Sequence, residues 1–228
     1  MNSLEAAHSG LLPSTDFLLD VEAVSPLKRV AAERRRRPLT VFFGVLVGLM
    51  LAVTGSRWSA HSLVSELLFL TGVCLAAVGT LGRTWSNLFI SGYKTKVLIQ
   101  TGPYSMCRNP LYFFSAIGMV GIGLCSGTLS IPLMMIVFFA AYYPLIIRCE
   151  EQRLAETHGD DYEWYRCTTP AFWPQFASYQ EPDTYTMLPD VMRKNIVDAF
   201  WFVALAAITH VLAHLHAIQV LPEFFQVW

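Results

Sequence analysis

Four long apolar stretches place the strongest constraint on how this chain folds. A membrane-spanning helix needs about 20 mostly apolar residues. Hydrophobic residues make up 54% of the chain and charged residues 14%, with a mean hydropathy of +0.44, which is more apolar than a soluble domain. We therefore predict an all-α integral membrane protein. Its apolar stretches are Pro38 to Gly55, Leu63 to Leu81, Leu111 to Ile147 and Ile196 to Val220.

The third apolar stretch, Leu111 to Ile147, is too long for one crossing. As a single helix it would extend about 55 Å at about 1.5 Å per residue, nearly twice the thickness of the hydrocarbon core. The run GIGLCSG at Gly121 to Gly127 supplies residues suited to a turn. We expect a helical hairpin here, and hence a polytopic bundle of about five membrane-spanning helices with cytoplasmic amphipathic helices.

Basic residues are distributed unevenly among the segments that connect these helices. Fifteen of the 16 lysines and arginines lie in the N-terminal arm or in the segments 83–110 and 148–195. Because positive residues are retained on the cytoplasmic side, we predict a cytoplasmic N-terminus. The predicted organisation is an N-terminal arm with a basic run (1–37), a core (38–195), and a C-terminal helix with its tail (196–228).

Composition argues against several other classes of protein. The net charge of -1 and the lack of a recognition motif give no reason to expect a nucleic-acid partner. The five cysteines show no spacing typical of zinc. His210 and His214 share a helix face as metal ligands would, but no third ligand accompanies them, so no metal site is predicted.

The most informative polar segment is Thr101 to Tyr112, which reads TGPYSMCRNPLY and is followed by the acidic pair Glu150 and Glu151. Charged groups beside apolar helices are costly unless they have partners or a function. Asn109 and Pro110 suit the start of a helix, but a helix cap alone does not explain Tyr104, Arg108 and Tyr112. We therefore predict a binding site at the cytoplasmic boundary.

The order of motifs from Lys96 to Pro174 resembles the isoprenylcysteine carboxyl methyltransferases, which belong with the membrane phospholipid methyltransferases. This chain reads LIQTGPYSMCRNPLY, then EEQRL, HGDDYEWY and AFWP. The resemblance rests on this ordered combination, since each motif alone is weak. It implies S-adenosylmethionine as the cofactor and a lipid or lipophilic acceptor that enters from the bilayer. The absence of a GxGxxG motif agrees with a site outside a Rossmann domain.

The resemblance also implies particular site residues. Two positions depart from the family pattern: Asn109 stands where relatives usually have His, and Ile146 stands where the isoprenylcysteine enzymes have a substrate-contacting Arg. An asparagine forms hydrogen bonds but does not titrate. Carried over position by position, or inferred from the charges that the cofactor presents, the expected cofactor-binding residues are Lys96, Val97, Leu98, Ile99, Tyr104, Arg108, Asn109, Pro110, Leu111, Tyr112, Glu150 and Glu151.

Three residues are candidates for the chemistry itself. We expect Arg108 to meet the cofactor carboxylate, and Glu151 or Tyr104 to accept a proton if the acceptor is an amine or a hydroxyl. A carboxylate or thiolate acceptor needs no base.

Two other readings of the sequence remain open. Sterol reductases resemble this family in their last helices, so an NADPH-dependent membrane reductase is one alternative. A non-catalytic membrane scaffold that keeps the fold is the other. The acidic pair and the short chain favour methyl transfer. The sequence does not determine the oligomeric state.

Overall fold

The structure is a computed structural model that describes residues 26–58, 62–91, 97–184, 187–222 and 224–227, without the side chains of residues 26–37 and Thr40. Helices dominate it. The elements in chain order are α1 (Pro26–Val53), β1 (Thr54–Ser56), α2 (Leu63–Ile90), α3 (Pro103–Met106), α4 (Pro110–Leu124), α5 (Ser130–His158), α6 (Asp160–Thr168), a 3₁₀ turn (Phe176–Ser178), α7 (Pro189–Ala217) and β2 (Phe225–Val227).

Three helices, α2, α5 and α7, are long and apolar enough to cross a membrane. Two shorter apolar helices, Val41–Val53 within α1 and Pro110–Leu124 (α4), accompany them. In the apolar windows of α2 and α7 only 17% of the residues are buried inside the bundle, so their outer faces suit contact with lipid. The prediction of an all-α membrane bundle is confirmed.

The predicted hairpin in the third apolar stretch is present. Helix α4 ends at Leu124 and α5 begins at Ser130. Gly127 lies between them with φ +68°, a conformation that glycine adopts at little cost, and its N–H donates to the Leu124 carbonyl at 2.9 Å. The turn therefore lies a few residues beyond the centre of the GIGLCSG run.

Two helices are longer than their apolar stretches suggested. Helix α2 continues past Leu81, the end of its apolar stretch, to Ile90, because packing against α4 supports its second half. Helix α5 continues through Pro144 into the acidic pair and ends at His158 before Gly159, whose φ is +54°. The predicted amphipathic segment is therefore divided between the end of α5 and the separate helix α6.

Helices α2 and α4 pack against each other through glycines. A Cβ atom added to Gly72 would lie 2.8 Å from the Gly121 carbonyl oxygen, and one added to Gly79 would lie 2.6 Å from the Gly118 nitrogen. Small residues of this kind let two membrane helices approach until their backbones touch. This contact fixes the position of α4 relative to α2.

The bundle has two distinct ends. The far end contains the α4–α5 turn and a two-stranded parallel pairing of β1 with β2, which the sequence did not suggest. There the Ser56 hydroxyl donates to the Gly127 carbonyl at 2.8 Å, and His216 Nε2 lies 3.0 Å from the Leu51 carbonyl. The opposite end, called the motif end, contains the C-terminus of α2, the N-termini of α4 and α7, and the acidic pair of α5.

The glycine contact gives a direct test of the bundle. We expect Gly121→Ala to lower the free energy of unfolding by about 1–3 kcal/mol because the new methyl group has no room; its Cβ would lie 2.6 Å from the Gly72 carbonyl oxygen. Thermal unfolding in detergent measures the effect. The matched control is Gly48→Ala on α1, where a Cβ meets no atom within 4 Å, and equal losses in both variants would contradict the packing.

Candidate functional site

The loop that precedes α4 is held tightly against its surroundings. Gly102 has φ +62°, and a Cβ there would collide with the Phe89 ring, so both the backbone conformation and the space require glycine. Its N–H donates to the Gln180 carbonyl at 2.7 Å, and the Gln175 N–H donates to the Met106 carbonyl at 3.0 Å. These hydrogen bonds attach the motif loop, residues 101–109, to the segment that follows α6.

Arg108 is the centre of a buried polar network. Its Nε donates to Glu151 Oε1 at 3.0 Å and its Nη2 to Oε2 at 3.3 Å, so the pair is bidentate. Its Nη1 donates to the carbonyls of Arg166 at 2.7 Å and Thr169 at 2.8 Å. The Arg108 and Glu151 side chains are only 5% and 14% exposed. Arg108 therefore joins the motif loop, α5 and the end of α6.

Asn109 completes this network and does not cap α4 with its side chain. Its Nδ2 donates to Glu151 Oε1 at 2.7 Å and to the Ala171 carbonyl at 3.0 Å. The residue occupies the N-cap position, but its side chain makes no capping hydrogen bond. The amide thus provides two neutral donors at the position where relatives usually have His.

Tyr104 lies on α3 beneath the same network. The Tyr165 hydroxyl donates to the Tyr104 carbonyl at 2.6 Å, which ties α6 to α3. Burial raises the pKa of the Tyr104 phenol well above its ordinary value, and the nearby Tyr165 and Glu150 add to this effect. The Tyr104 hydroxyl therefore keeps its proton at physiological pH.

A cavity opens at the motif end beside this network, with an empty volume of about 750 Å³ including the part open to solvent. Carboxylate, guanidinium, amide and phenol groups share its wall with aliphatic side chains. Its lining residues are Ile90, Val97, Leu98, Ile99, Tyr104, Arg108, Asn109, Leu111, Tyr112, Glu150, Arg153, Leu154 and Tyr165.

Most of the residues predicted from the sequence meet at this cavity. Pro110 and Glu151 do not line it: Pro110 is buried at the start of α4, and Glu151 faces the Arg108 network. Lys96 lies outside the described residues. The predicted residues that line the cavity are Val97, Leu98, Ile99, Tyr104, Arg108, Asn109, Leu111, Tyr112 and Glu150.

Four lining residues were missed by the sequence reasoning: Ile90, Arg153, Leu154 and Tyr165. Helical spacing offered a signal for two of them, because residues three and four positions after Glu150 share its face of α5. The second tyrosine of the YEWY motif was also available as a candidate. Ile90 gave no comparable signal, since it lies beyond the apolar stretch that ends at Leu81.

The two glutamates of the acidic pair have different environments although they are adjacent. Glu151 accepts hydrogen bonds from Arg108 and Asn109, whereas Glu150 lines the cavity. Successive residues in a helix point about 100° apart, so Glu151 faces the Arg108 network while Glu150 faces the cavity. The geometry assigns the fixing of the motif loop to Glu151 and a place in the cavity wall to Glu150.

Cys107 lies inside the motif but offers no accessible thiol. The residue is fully buried, and burial raises the pKa of its thiol to about 12. A thiol in this state remains protonated and unreactive at neutral pH. Cys107 therefore acts as a small apolar group in the packing of the loop.

Comparison with known proteins agrees with this geometry. Residues 56–161 match the family model described as phospholipid methyltransferase. The cobalt-zinc-cadmium resistance protein CzcN of Cupriavidus metallidurans is 37% identical over 153 residues, covering 67% of this chain and 70% of that protein. The nickel-cobalt-cadmium resistance protein NccN of Alcaligenes xylosoxydans is 31% identical over 205 residues, covering 90% and 94%. No solved structure matches the chain.

The helical bundle defines an integral membrane protein with a polar cavity at one end. The chain belongs to the phospholipid methyltransferase family, and it is similar to CzcN and NccN over most of its length. The family match spans α2 to the start of α6, and therefore includes the motif loop and the acidic pair. The family resemblance drawn from the motifs is confirmed.

The different environments of the two glutamates predict different effects on stability. Glu151→Gln leaves the buried Arg108 guanidinium without its carboxylate, and losing one partner of a buried ion pair typically costs about 3–5 kcal/mol. Glu150→Gln should change the free energy of unfolding by less than about 1 kcal/mol. Thermal unfolding of both variants in detergent without ligand compares them directly. If Glu150→Gln were the more damaging substitution, the two assignments would be reversed.

Proposed function

We propose that this protein is an S-adenosylmethionine-dependent methyltransferase that acts on a lipid or lipophilic acceptor. The observation that carries the proposal is the cavity itself, which gathers most of the family motif residues at one end of a membrane bundle. The acceptor group is a carboxylate, a thiol or an amine. The site residues in this proposal are those that line the cavity.

The cavity suits the charges that such a cofactor carries. The cofactor has a sulfonium cation, an ammonium, a carboxylate and an adenine. Carboxylate and aromatic groups stabilise cations, and here Glu150, Tyr104 and Tyr112 provide them. Aliphatic residues such as Val97 and Leu98 offer the apolar contacts that an adenine ring needs. When bound, S-adenosylmethionine supplies an electrophilic methyl group.

The protein contributes mainly by positioning and by excluding water. Aligning the nucleophile with the methyl carbon and the sulfur lowers the barrier by several kcal/mol without covalent participation of a side chain. Tyr104 keeps its proton and is available as a hydrogen-bond donor. Glu150 lines the cavity and Glu151 does not, so Glu150 is the better placed carboxylate to accept a proton from an amine acceptor.

The active site is assigned to the cytoplasmic side of the membrane. Helix α1 ends at Val53 beside β2 at the far end, so the start of this helix, which is basic in sequence, points toward the end that holds the acidic pair of α5. Basic residues near membrane helices are retained in the cytoplasm. The cofactor is polar and is made in the cytoplasm, so a site on that side has direct access to it.

Binding of the reaction product provides the first test. We expect saturable binding of S-adenosylhomocysteine to the purified protein in detergent, weakened about 10- to 100-fold by Glu150→Gln because a charged hydrogen bond is lost. Isothermal titration calorimetry measures both affinities. NADPH serves as the parallel ligand, and binding of NADPH without S-adenosylhomocysteine would identify a reductase.

Methyl transfer completes the same test. Radiolabelled S-adenosylmethionine is added to sealed membrane vesicles, and label is followed into the lipid-soluble fraction. Inside-out vesicles should incorporate label, and right-side-out vesicles should not. Incorporation in the opposite orientation would reject the cytoplasmic site, and failure to bind either ligand would leave the scaffold as the better reading.

The names of the two relatives suggest a cellular setting for the activity. Both refer to resistance to divalent metal ions. In this proposal, methylation of a membrane component contributes to metal tolerance in the host cell. The role requires an acceptor in the membrane and no metal site in this protein.

This setting predicts a growth phenotype. A strain that lacks the protein should be more sensitive to cobalt, zinc or cadmium, and the wild-type gene should restore its growth. Glu150→Gln should fail to restore it because cofactor binding is weakened, whereas Arg193→Gln, an exposed residue paired with Asp190 at 3.0 Å, should succeed. Full tolerance with Glu150→Gln at normal protein levels would separate metal resistance from methyl transfer.

A further inference from the structure

The segment that follows α6, residues 169–180, has an unusual composition for a connection outside the helical bundle. It reads TPAFWPQFASYQ and contains no charged residue. Trp173 and Phe176 are 74% and 71% exposed. Large exposed aromatic side chains are typical of surfaces that contact a membrane or a partner. The neighbours of this segment show which of the two applies.

Phe172 places the segment at the depth of the apolar helices. Its ring centroid lies 5.7 Å from that of Phe113 on α4 and 6.0 Å from that of Phe139 on α5. Phe139 lies three turns before Glu150 on α5, which is about 16 Å along the helix axis. Phe172 therefore reaches the apolar part of the bundle, below the polar network of the motif end.

Trp173 lies next to this contact but on the outside of the bundle. Its ring centroid is 6.0 Å from that of Phe113, so the indole lies at a similar depth, and most of its surface is exposed. Near the other end of the segment, the Tyr179 ring lies 5.7 Å from the Trp85 ring of α2. The segment thus extends across apolar helices whose outer faces suit contact with lipid.

The backbone of the segment has polar partners in the motif loop. The Pro170 carbonyl accepts from the Arg108 N–H at 2.9 Å, and the Ala171 carbonyl accepts from Asn109 Nδ2 at 3.0 Å. Proline has no N–H of its own to satisfy. A non-helical backbone is tolerated at membrane depth only where the protein satisfies its polar groups. These inward hydrogen bonds therefore suit a segment whose aromatic side chains face lipid.

We propose that the segment 169–180 is a membrane-interface anchor, with Trp173 and Phe176 in contact with lipid of the leaflet at the motif end. Its lack of charge and its contacts with apolar helices favour a bilayer over a soluble protein as the partner. Tryptophan suits this position because its indole combines a large apolar surface with one polar N–H. Since the motif loop is bonded to the same segment, lipid contact also holds the loop in place. The inference concerns this surface and does not require methyl transfer.

Fluorescence in lipid vesicles tests the position of Trp173. The full chain is reconstituted into phosphatidylcholine vesicles with brominated acyl chains, and the Trp173 emission is taken as the difference between wild type and Trp173→Phe. We expect brominated lipid to quench most of this emission, and the aqueous quencher acrylamide to quench little of it. Trp201 on α7 is 57% exposed, and Trp201→Phe provides the control for an indole on a membrane helix.

A second reporter keeps the test independent of Trp173. Phe176→Trp adds an indole to the otherwise unchanged chain, and brominated lipid should quench the added emission. Quenching of both reporters by acrylamide alone would overturn the inference, because it would place the segment in water. Quenching by neither reagent would also overturn it, and would indicate that protein, such as a second copy of the chain, covers this surface.

Hydrogen exchange in vesicles of unbrominated phosphatidylcholine measures the effect on the motif loop. Trp173→Ser removes the indole, and we expect the backbone amides of residues 101–109 to exchange faster than in wild type because their support is weakened. Trp164→Ser is the matched control, since Trp164 is also exposed but lies on α6 between Glu163 and Arg166; it should leave this exchange unchanged. Equal exchange in Trp173→Ser and wild type would overturn the anchoring role.

Discussion

The ion pair between Arg108 and Glu151 is the interaction on which the geometry of the motif end depends. Burying two charges is expensive, and the cost is offset only when geometry is good and the remaining donors have partners. Here the pair is bidentate, and Asn109 and two backbone carbonyls complete it. Because its members come from the motif loop, α5 and the end of α6, forming the pair brings three distant segments together. The cavity is the space left beside that junction.

Helix α5 connects the polar network at the motif end to the apolar packing of the bundle. It is continuous from Ser130 to His158, so the apolar turns that pack in the bundle and the polar turns that line the cavity belong to one rod. Ile146 and Ile147 pack with Tyr112 just before the acidic pair, which places the hydrophobic core directly beneath the polar cavity. The glycine contact between α2 and α4 holds the other wall. Both walls thus take their positions from packing within the membrane.

The apolar stretches and the ordered motifs were sufficient to predict the helical bundle, the hairpin and most of the cavity lining. Helix ends were less predictable, because α2 is extended to Ile90 by tertiary packing that no local pattern records. The separate environments of Glu150 and Glu151 were also hidden, since adjacent carboxylates are chemically identical until the fold gives each a neighbour. Arg153 was overlooked for a related reason: an arginine on a charged helix face looks like a solvated residue until a cavity is seen beside it.

Asn109 has a consequence for how the site responds to acidity. Its amide donates to both Glu151 and the Ala171 carbonyl, and an amide neither gains nor loses a proton in the physiological range. A histidine at this position would change charge near neutrality and would alter the balance of the Arg108 pair as it did so. With asparagine, this position keeps the same charge as the pH falls. Asn109 therefore adds no pH dependence of its own to the junction that shapes the cavity.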